Sequence, residues 1–179
     1  MASRSPKQGP AHGRGACIAW FFALFAAVVA VDQVTKWFLR VYLANGSVTL
    51  IPGVLDLSLV YNEGAAFGMG AGGTWVFVVL AALIACACAA YVVAGKATVP
   101  LSAVLGVVAG GGVGNLIDRV SQGAVTDFFK TTFVDFAVFN VADIAITCGF
   151  VVAFILFWRQ ESVADGPDGG EDGEGDGVS

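Results

Sequence analysis

Four long apolar runs divide the chain, and the polar residues that interrupt them are few and clustered. The first run covers 16–31 and continues through DQVTKWFLRVYL to near Tyr42, keeping helical character and placing Asp32 and Lys36 on one face at i, i+4 in the favourable acid-first order. A basic arm before such a run also fits a cleavable signal peptide, but the helical continuation past residue 31 argues for a retained span. The second run, 74–94, has the length a bilayer core requires. The third runs over 100–117, with Gly106, Gly110 and Gly114 at four-residue spacing, a small-residue seam for close helix contact. The fourth begins near 136 and ends near 158. Between the first two, residues 45–73 change period. Val48, Leu50, Val54, Leu55, Leu57 and Leu59 give a broken alternation among Gly and Pro, which predicts short strands and turns lying at the membrane surface. Residues 95–99 form a short turn and 121–135 the next loop.

Composition strengthens this picture. Hydrophobic residues make up 57% of 179 and charged residues 13%, with a mean hydropathy of +0.79, so an integral membrane protein is expected. The net charge of −5 comes from residues 161–179, ESVADGPDGGEDGEGDGVS, which cannot bury a core and read as a disordered acidic tail. Residues 1–160 carry nine Lys and Arg against seven Asp and Glu, which argues against a nucleic-acid surface. Residues 1–14 form a basic arm, expected to be disordered and cytoplasmic. Four spans return the C-terminus to the same side. Five basic residues then lie inside (Arg4, Lys7, Arg14, Lys96, Arg159) and four outside (Lys36, Arg40, Arg119, Lys130), so span count and the arm carry the topology more than the charge difference does.

Chemistry concentrates in 110–147. There Asn115, Asp118, Arg119, Asp127, Asp135, Asn140 and Asp143 crowd a stretch in which lipid-facing sequence would carry almost none. A charge at a helix centre in the bilayer costs about 2.5–3.5 kcal/mol on the lowest scales, so such groups face a bundle interior or a watery cavity. Asn115, Asp118 and Arg119 share one face near the end of the third span, and Asn140 and Asp143 share one about a turn into the fourth. Asp127 can dip between them from the loop, and Asp135 is a rival that spacing does not exclude. Two carboxylates a few Å apart in low dielectric cannot both ionise, which makes one an acid and the other a base. The alternative is structural: an Asp118–Arg119 ion pair, with Asp143 capping the fourth helix. The four cysteines lie in apolar runs without zinc spacing, and the single histidine, His12, sits in the N-terminal arm, so carboxylates, amides, Arg and hydroxyls are left to do any chemistry.

The blocks DQVTK, YNEGAAFG, GGVGNLIDRV, VTDFF and FNVADIAI, in this order over 32–146, resemble those of lipoprotein signal peptidases, the type II signal peptidases of bacteria. The resemblance implies a membrane aspartyl endopeptidase that cuts a prolipoprotein just before a diacylglyceryl-modified cysteine. It implies Asp127 and Asp143 as the catalytic pair. Asn62, Asn115, Asp118, Arg119 and Asn140 would be a supporting polar shell, with Asp32 and Lys36 contributing near the first span. The VTDFF match favours Asp127 over Asp135. One departure is Phe136-Ala137-Val138-Phe139-Asn140, where the family commonly has a proline before the last helix.

The expected architecture is an all-α membrane bundle of four transmembrane helices with a small extracytoplasmic β-rich surface subdomain. The peptidase domain spans 15–160, with 45–73 as a surface cradle, between the two tails. Both termini are expected in the cytoplasm of a bacterium, with the site near the extracytoplasmic face of the plasma membrane. Substrate and membrane lipid are the expected partners, no metal or other cofactor is needed, and a monomer is the simplest assembly. Intramembrane charges would also suit a small transporter or a polar scaffold; the lack of inverted repeats argues against the transporter.

Overall fold

The computed structural model describes residues 11–64 and 73–164. In chain order these form α1 (Ala11–Tyr42), β1 (Val48–Ile51), β2 (Leu55–Asn62), α2 (Thr74–Val93), α3 (Val99–Gln122), β3 (Val125–Thr131) and α4 (Val141–Ala164). Helix α3 is central and packs against the other three. The reason lies in its glycines. A Cβ on Gly110 would stand 2.8 Å from the carbonyl oxygen of Phe25 and one on Gly114 would stand 2.6 Å from Asp32 Oδ2, so the seam works only because α1 can approach bare backbone. On another face, a Cβ on Gly111 would meet the carbonyl oxygen of Ala142 at 2.7 Å, which brings α4 equally close.

Helix α3 starts after Thr98 with Pro100 in its first turn, where an absent N–H leaves no intrahelical bond unmade. It stops at Gly123, whose φ of 79° is the left-handed conformation that glycine adopts without a steric penalty, and Gly123 N–H donates to the carbonyl of Arg119 at 3.1 Å. The helix therefore runs five residues past the end expected from hydropathy and carries Arg119 within it.

The outward faces are apolar. Trp20, Trp37, Trp75, Phe150, Phe154 and Trp158 are exposed, whereas Asp32, Lys36, Asp118 and Asn140 are buried, the reverse of a water-soluble domain. Helices α1, α2 and α3 are each long and apolar enough to cross a membrane, and the apolar part of α4, Val141–Leu156, is shorter. Cys17, Phe21, Val92 and Ala109 fill the core at one end of the bundle, while Leu39, Leu43, Leu57 and Phe128 join the sheet to the C-terminal end of α1.

The sheet has three antiparallel strands in the order β1-β2-β3. Strands β1 and β2 lie in the stretch expected to be β-like. Strand β3 lies in what the sequence presents as a plain loop, and the difference has a physical cause. Residues 125–128 are all buried, so VTDF shows no alternation of polar and apolar positions. The fourth helix is also shorter at its start than expected. Residues 136–139 look helical by hydrophobicity, but Phe139 exchanges backbone hydrogen bonds with Phe129 (2.8 and 3.1 Å), extending the sheet edge, and α4 begins only at Val141. At the chain ends, α1 takes in residues 11–14 and α4 residues 161–164, which the sequence assigns to the tails; 1–10, 165–179 and most of NEGAAFG lie outside the described residues.

Candidate active site

The C-terminal parts of α1 and α3, the start of α4, and strands β2 and β3 meet at one end of the bundle. Asn140 stands just before α4 rather than a turn inside it. Its side-chain oxygen accepts the backbone N–H of Asp143 at 3.0 Å, and Asp143 Oδ2 accepts the backbone N–H of Asn140 at 3.0 Å. This reciprocal capping box fixes the first turn of α4 and at the same time orients the Asp143 carboxylate.

Asn140 Nδ2 then reaches across to β3. It donates to Asp127 Oδ1 at 2.6 Å and to Asn115 Oδ1 at 3.0 Å. Asp127 Oδ2 accepts from Asn62 Nδ2 at 3.1 Å, an approach set by β2–β3 pairing, in which Val60 lies opposite Asp127 and Asn62 opposite Val125. Asn115 Nδ2 donates to Asp143 Oδ1 at 2.8 Å. One asparagine thus touches both carboxylates, and a second joins it to one of them. The orientation of Asn115 is dictated chemically: its oxygen faces the Lys36 ammonium at 2.8 Å, which can only donate, and its amide nitrogen faces a carboxylate.

Behind these amides lies a charged layer. Lys36 Nζ lies 2.8 Å from Asp32 Oδ2 and 3.2 Å from Asp118 Oδ2, with all three side chains buried. Buried ions at this depth require such pairing, and Asp32 also accepts the backbone N–H of Ala142 at 3.1 Å, tying α1 to α4. The Asp118–Arg119 ion pair of the structural alternative is not formed. Asp118 instead pairs with Lys36 and with Arg40 Nη2 at 3.0 Å, because α3 turns Arg119 toward a different face. Arg119 donates to the carbonyls of Asn115 (3.5 Å) and Gly64 (3.3 Å), lies 5.1 Å over the ring of Phe77, and has no partner for its buried Nε among the described residues.

Asn62, Asn115, Arg119, Asp127 and Asp143 line one cavity of 720 Å³ whose other walls, including Phe77, Leu80, Ile84, Phe136 and Phe139, are apolar. Asp127 is 2% exposed. Burial pushes its carboxyl up to about 6, the Asn62 amide pulls it down, and charge on Asp143 adds to the rise. Asp135 lies apart, exposed in the turn between β3 and α4.

The nine residues that the resemblance assigns to the site therefore converge here and the rival Asp135 does not, with Asp118 and Arg119 each holding other partners. Three contributors went unnoticed: Arg40, Gln33 and Thr126. Gln33 Nε2 donates to Asp32, to the carbonyl of Gly114 and to Asp118. Arg40 was legible, since Asp32, Lys36 and Arg40 fall at i, i+4 and i+8 on one helical stripe.

Comparison with known proteins gives this arrangement a family. A sequence profile described as signal peptidase II, Peptidase_A8, matches residues 24–159. Lipoprotein signal peptidases from Symbiobacterium thermophilum and Syntrophomonas wolfei are each 43% identical to this chain, over 136 and 138 residues, covering 74% and 76% of it and 90% and 91% of the relatives. One from Streptococcus pyogenes is 36% identical over 140 residues, covering 75% of this chain and 90% of its own. Two bacterial membrane enzymes solved by the in meso method at 2.3 and 1.9 Å resolution superpose with TM-scores of 0.72 and 0.67 at 28% and 29% identity, covering 83% and 78% of this chain and 93% and 92% of theirs. Matched across most of its own length and about nine-tenths of its relatives', this chain belongs to the signal peptidase II family of membrane proteases.

Proposed function

We propose that the protein removes signal peptides from bacterial prolipoproteins, cutting before a diacylglyceryl-modified cysteine, by aspartyl catalysis at Asp127 and Asp143. The observation that carries this reading is Asn140, whose amide and backbone hold one oxygen of each carboxylate. Two acids held this way in a largely apolar cavity share a proton at the pH where the enzyme works. The ionised carboxylate takes a proton from water as the water oxygen adds to the scissile carbonyl carbon. The protonated partner gives its proton to the carbonyl oxygen. On collapse of the tetrahedral intermediate the C–N bond breaks, a proton passes to the leaving amine, and the pair returns to its starting charge.

The supporting shell has distinct tasks in this reading. Asn62 and Asn115 hold the outer oxygens of the pair, and Arg119, which lines the cavity, is placed to meet a substrate carbonyl at its wall. Asp32, Lys36 and Asp118 form the charged floor that fixes Asn115. The chain acts as a monomer with four spans, both termini cytoplasmic and the sheet at the extracytoplasmic face. There water enters from above and acyl chains enter sideways from the bilayer. No metal or other cofactor is assigned a role.

Purified protein in detergent, given a diacylglyceryl prolipoprotein in the presence of EDTA, is expected to release the signal peptide with the lipidated cysteine as the new N-terminus, read by mass spectrometry. Cleavage elsewhere, cleavage of the unlipidated precursor at an equal rate, or loss of activity in EDTA would contradict this reading.

A further inference from the structure

Arg40 lies on α1, one turn beyond Lys36, and its side chain is 30% exposed while the carboxylate it meets is 1% exposed. Its guanidinium makes two bonds in different directions. Nη2 donates to Asp118 Oδ1 at 3.0 Å and Nε donates to Thr126 Oγ1 at 2.9 Å. The other oxygen of Asp118 accepts the backbone N–H of Thr126 at 2.9 Å. Arg40, Asp118 and Thr126 thus close a ring that grips both the side chain and the main chain of one residue of β3. Gln122 Nε2 also donates to Thr126 Oγ1 at 2.8 Å, and Asn140 Nδ2 reaches the Thr126 carbonyl at 3.4 Å. Thr126 is fully buried, and the next residue is Asp127.

We propose that Arg40 is a positioning residue for the hydrolytic step: by clamping Thr126 between its guanidinium and Asp118, it sets where the Asp127 carboxylate stands relative to Asp143. The inference rests on the reading of Asp127 and Asp143 as the catalytic pair. Strand β3 pairs with β2 on one edge and with Phe139 on the other only at Phe128 and Phe129, and β2–β3 has a register irregularity between Leu57 and Val60, next to the Asp127 pairing. At Thr126 the clamp adds a constraint from the helix side. It also balances charge. Without Arg40, Lys36 would be the single cation in contact with both Asp32 and Asp118. Lys36 of α1, Arg119 of α3 and Asp143 of α4 are the charged groups that act on Asp127 directly, and Arg40 acts through Asp118, which Lys36 also holds, so losing Arg40 leaves more negative charge behind Asp127 and makes its proton harder to remove.

The test measures kcat, KM and the pH–rate profile on a diacylglyceryl prolipoprotein for Arg40→Gln, Arg40→Lys, Thr126→Val, Thr126→Ser and the Arg40→Gln/Thr126→Val double variant, with Asp127→Asn and Asp143→Asn alongside. Misplacing a reacting group by a fraction of an ångström to an ångström costs about ten- to a hundredfold. Arg40→Gln is therefore expected to lower kcat about tenfold on the same grounds with little change in KM, and to move the alkaline limb of the profile to higher pH. Arg40→Lys keeps the charge but not the fork, so its limb stays in place while kcat remains reduced. Thr126→Ser should recover most of what Thr126→Val loses, and the double variant should lose less than the product of the two single losses, because both remove one shared bond. If Arg40→Gln does not fold, the nearly isosteric Thr126→Val carries the test. Wild-type kcat and profile in Arg40→Gln, or wild-type kcat in Thr126→Val, with Asp127→Asn and Asp143→Asn inactive, would overturn this inference alone. Activity in Asp127→Asn would overturn the catalytic assignment, and the inference with it.

Discussion

Asn62 and Asn140 both donate to Asp127, but they are not equivalent. Asn62 offers a single bond at 3.1 Å from a neighbouring strand, whereas Asn140 bonds Asp127, Asn115 and the Thr126 carbonyl and also caps α4. Removing Asn62 takes away a donor that favours the ionised carboxylate, so the Asp127 carboxyl, already pushed up to about 6 by burial, rises further. If the proposed pair works with one shared proton, the Asp127 carboxyl at about 6 means that activity should fall as pH climbs through that region. Asn62→Ala should shift this alkaline limb upward in a pH–rate profile; an unmoved limb would mean that Asn62 does not bond the working carboxylate. Lys36 poses the opposite case. It is buried between two carboxylates, so Lys36→Met leaves Asp32 without a cation and Asp118 with Arg40 alone, and should cost about 3–5 kcal/mol of stability, read as a large fall in Tm and folded yield. Arg119→Ala strands no carboxylate, since Asp118 is held by Lys36 and Arg40. It should lower activity well before it lowers Tm, and an equal loss in both variants would contradict this division of roles.

Among the elements, α3 is the one on which the others are aligned, and its glycines decide how close they come. A Cβ at Gly114 would collide with the Asp32 carboxylate at 2.6 Å, which also bonds Lys36 and Gln33. Gly114→Ala should therefore destabilise the protein by about 1–3 kcal/mol and lower activity through Lys36 and Asn115, measured as a Tm shift together with kcat. Gly112→Ala, with open space at its Cβ, should leave Tm unchanged. The helices are legible because a run of 16 or more apolar residues has few other readings, and the small-residue spacing marks the seam in the sequence. Strand β3 was not legible. Its side chains are buried on both faces at Val125–Phe128, so the period-two signal that marks a half-exposed strand is absent. Residues 136–139 differ for a related reason: they are apolar enough to begin a helix, but the Phe139–Phe129 backbone bonds and the Asn140–Asp143 capping box move the start to Val141. The Asp118–Arg119 pairing failed because neighbours in sequence point to different helix faces, and the carboxylate found its cations on α1 instead.

At the scale of the whole molecule, the polar network lies at the end of the bundle where α1 and α3 finish and α4 begins, with the sheet joined to it through Leu39, Leu43, Leu57 and Phe128. If both termini are cytoplasmic, a reporter that works only outside the cytoplasm should be active when fused after residue 132 and silent when fused after residue 96. The reverse pattern would place the site on the wrong side for an exported substrate. In the proposed mechanism two aspartates from different elements act as one catalytic unit. This is tested most directly by single-turnover cleavage of a diacylglyceryl prolipoprotein by Asp127→Asn, Asp143→Asn and the double variant, each first shown to fold. Groups that work as a unit give strongly non-additive losses, so each single change should cost at least about a thousandfold and the double change should be no worse than the singles. Near-wild-type cleavage by either single variant, or its disappearance in Asp135→Asn instead, would contradict the account.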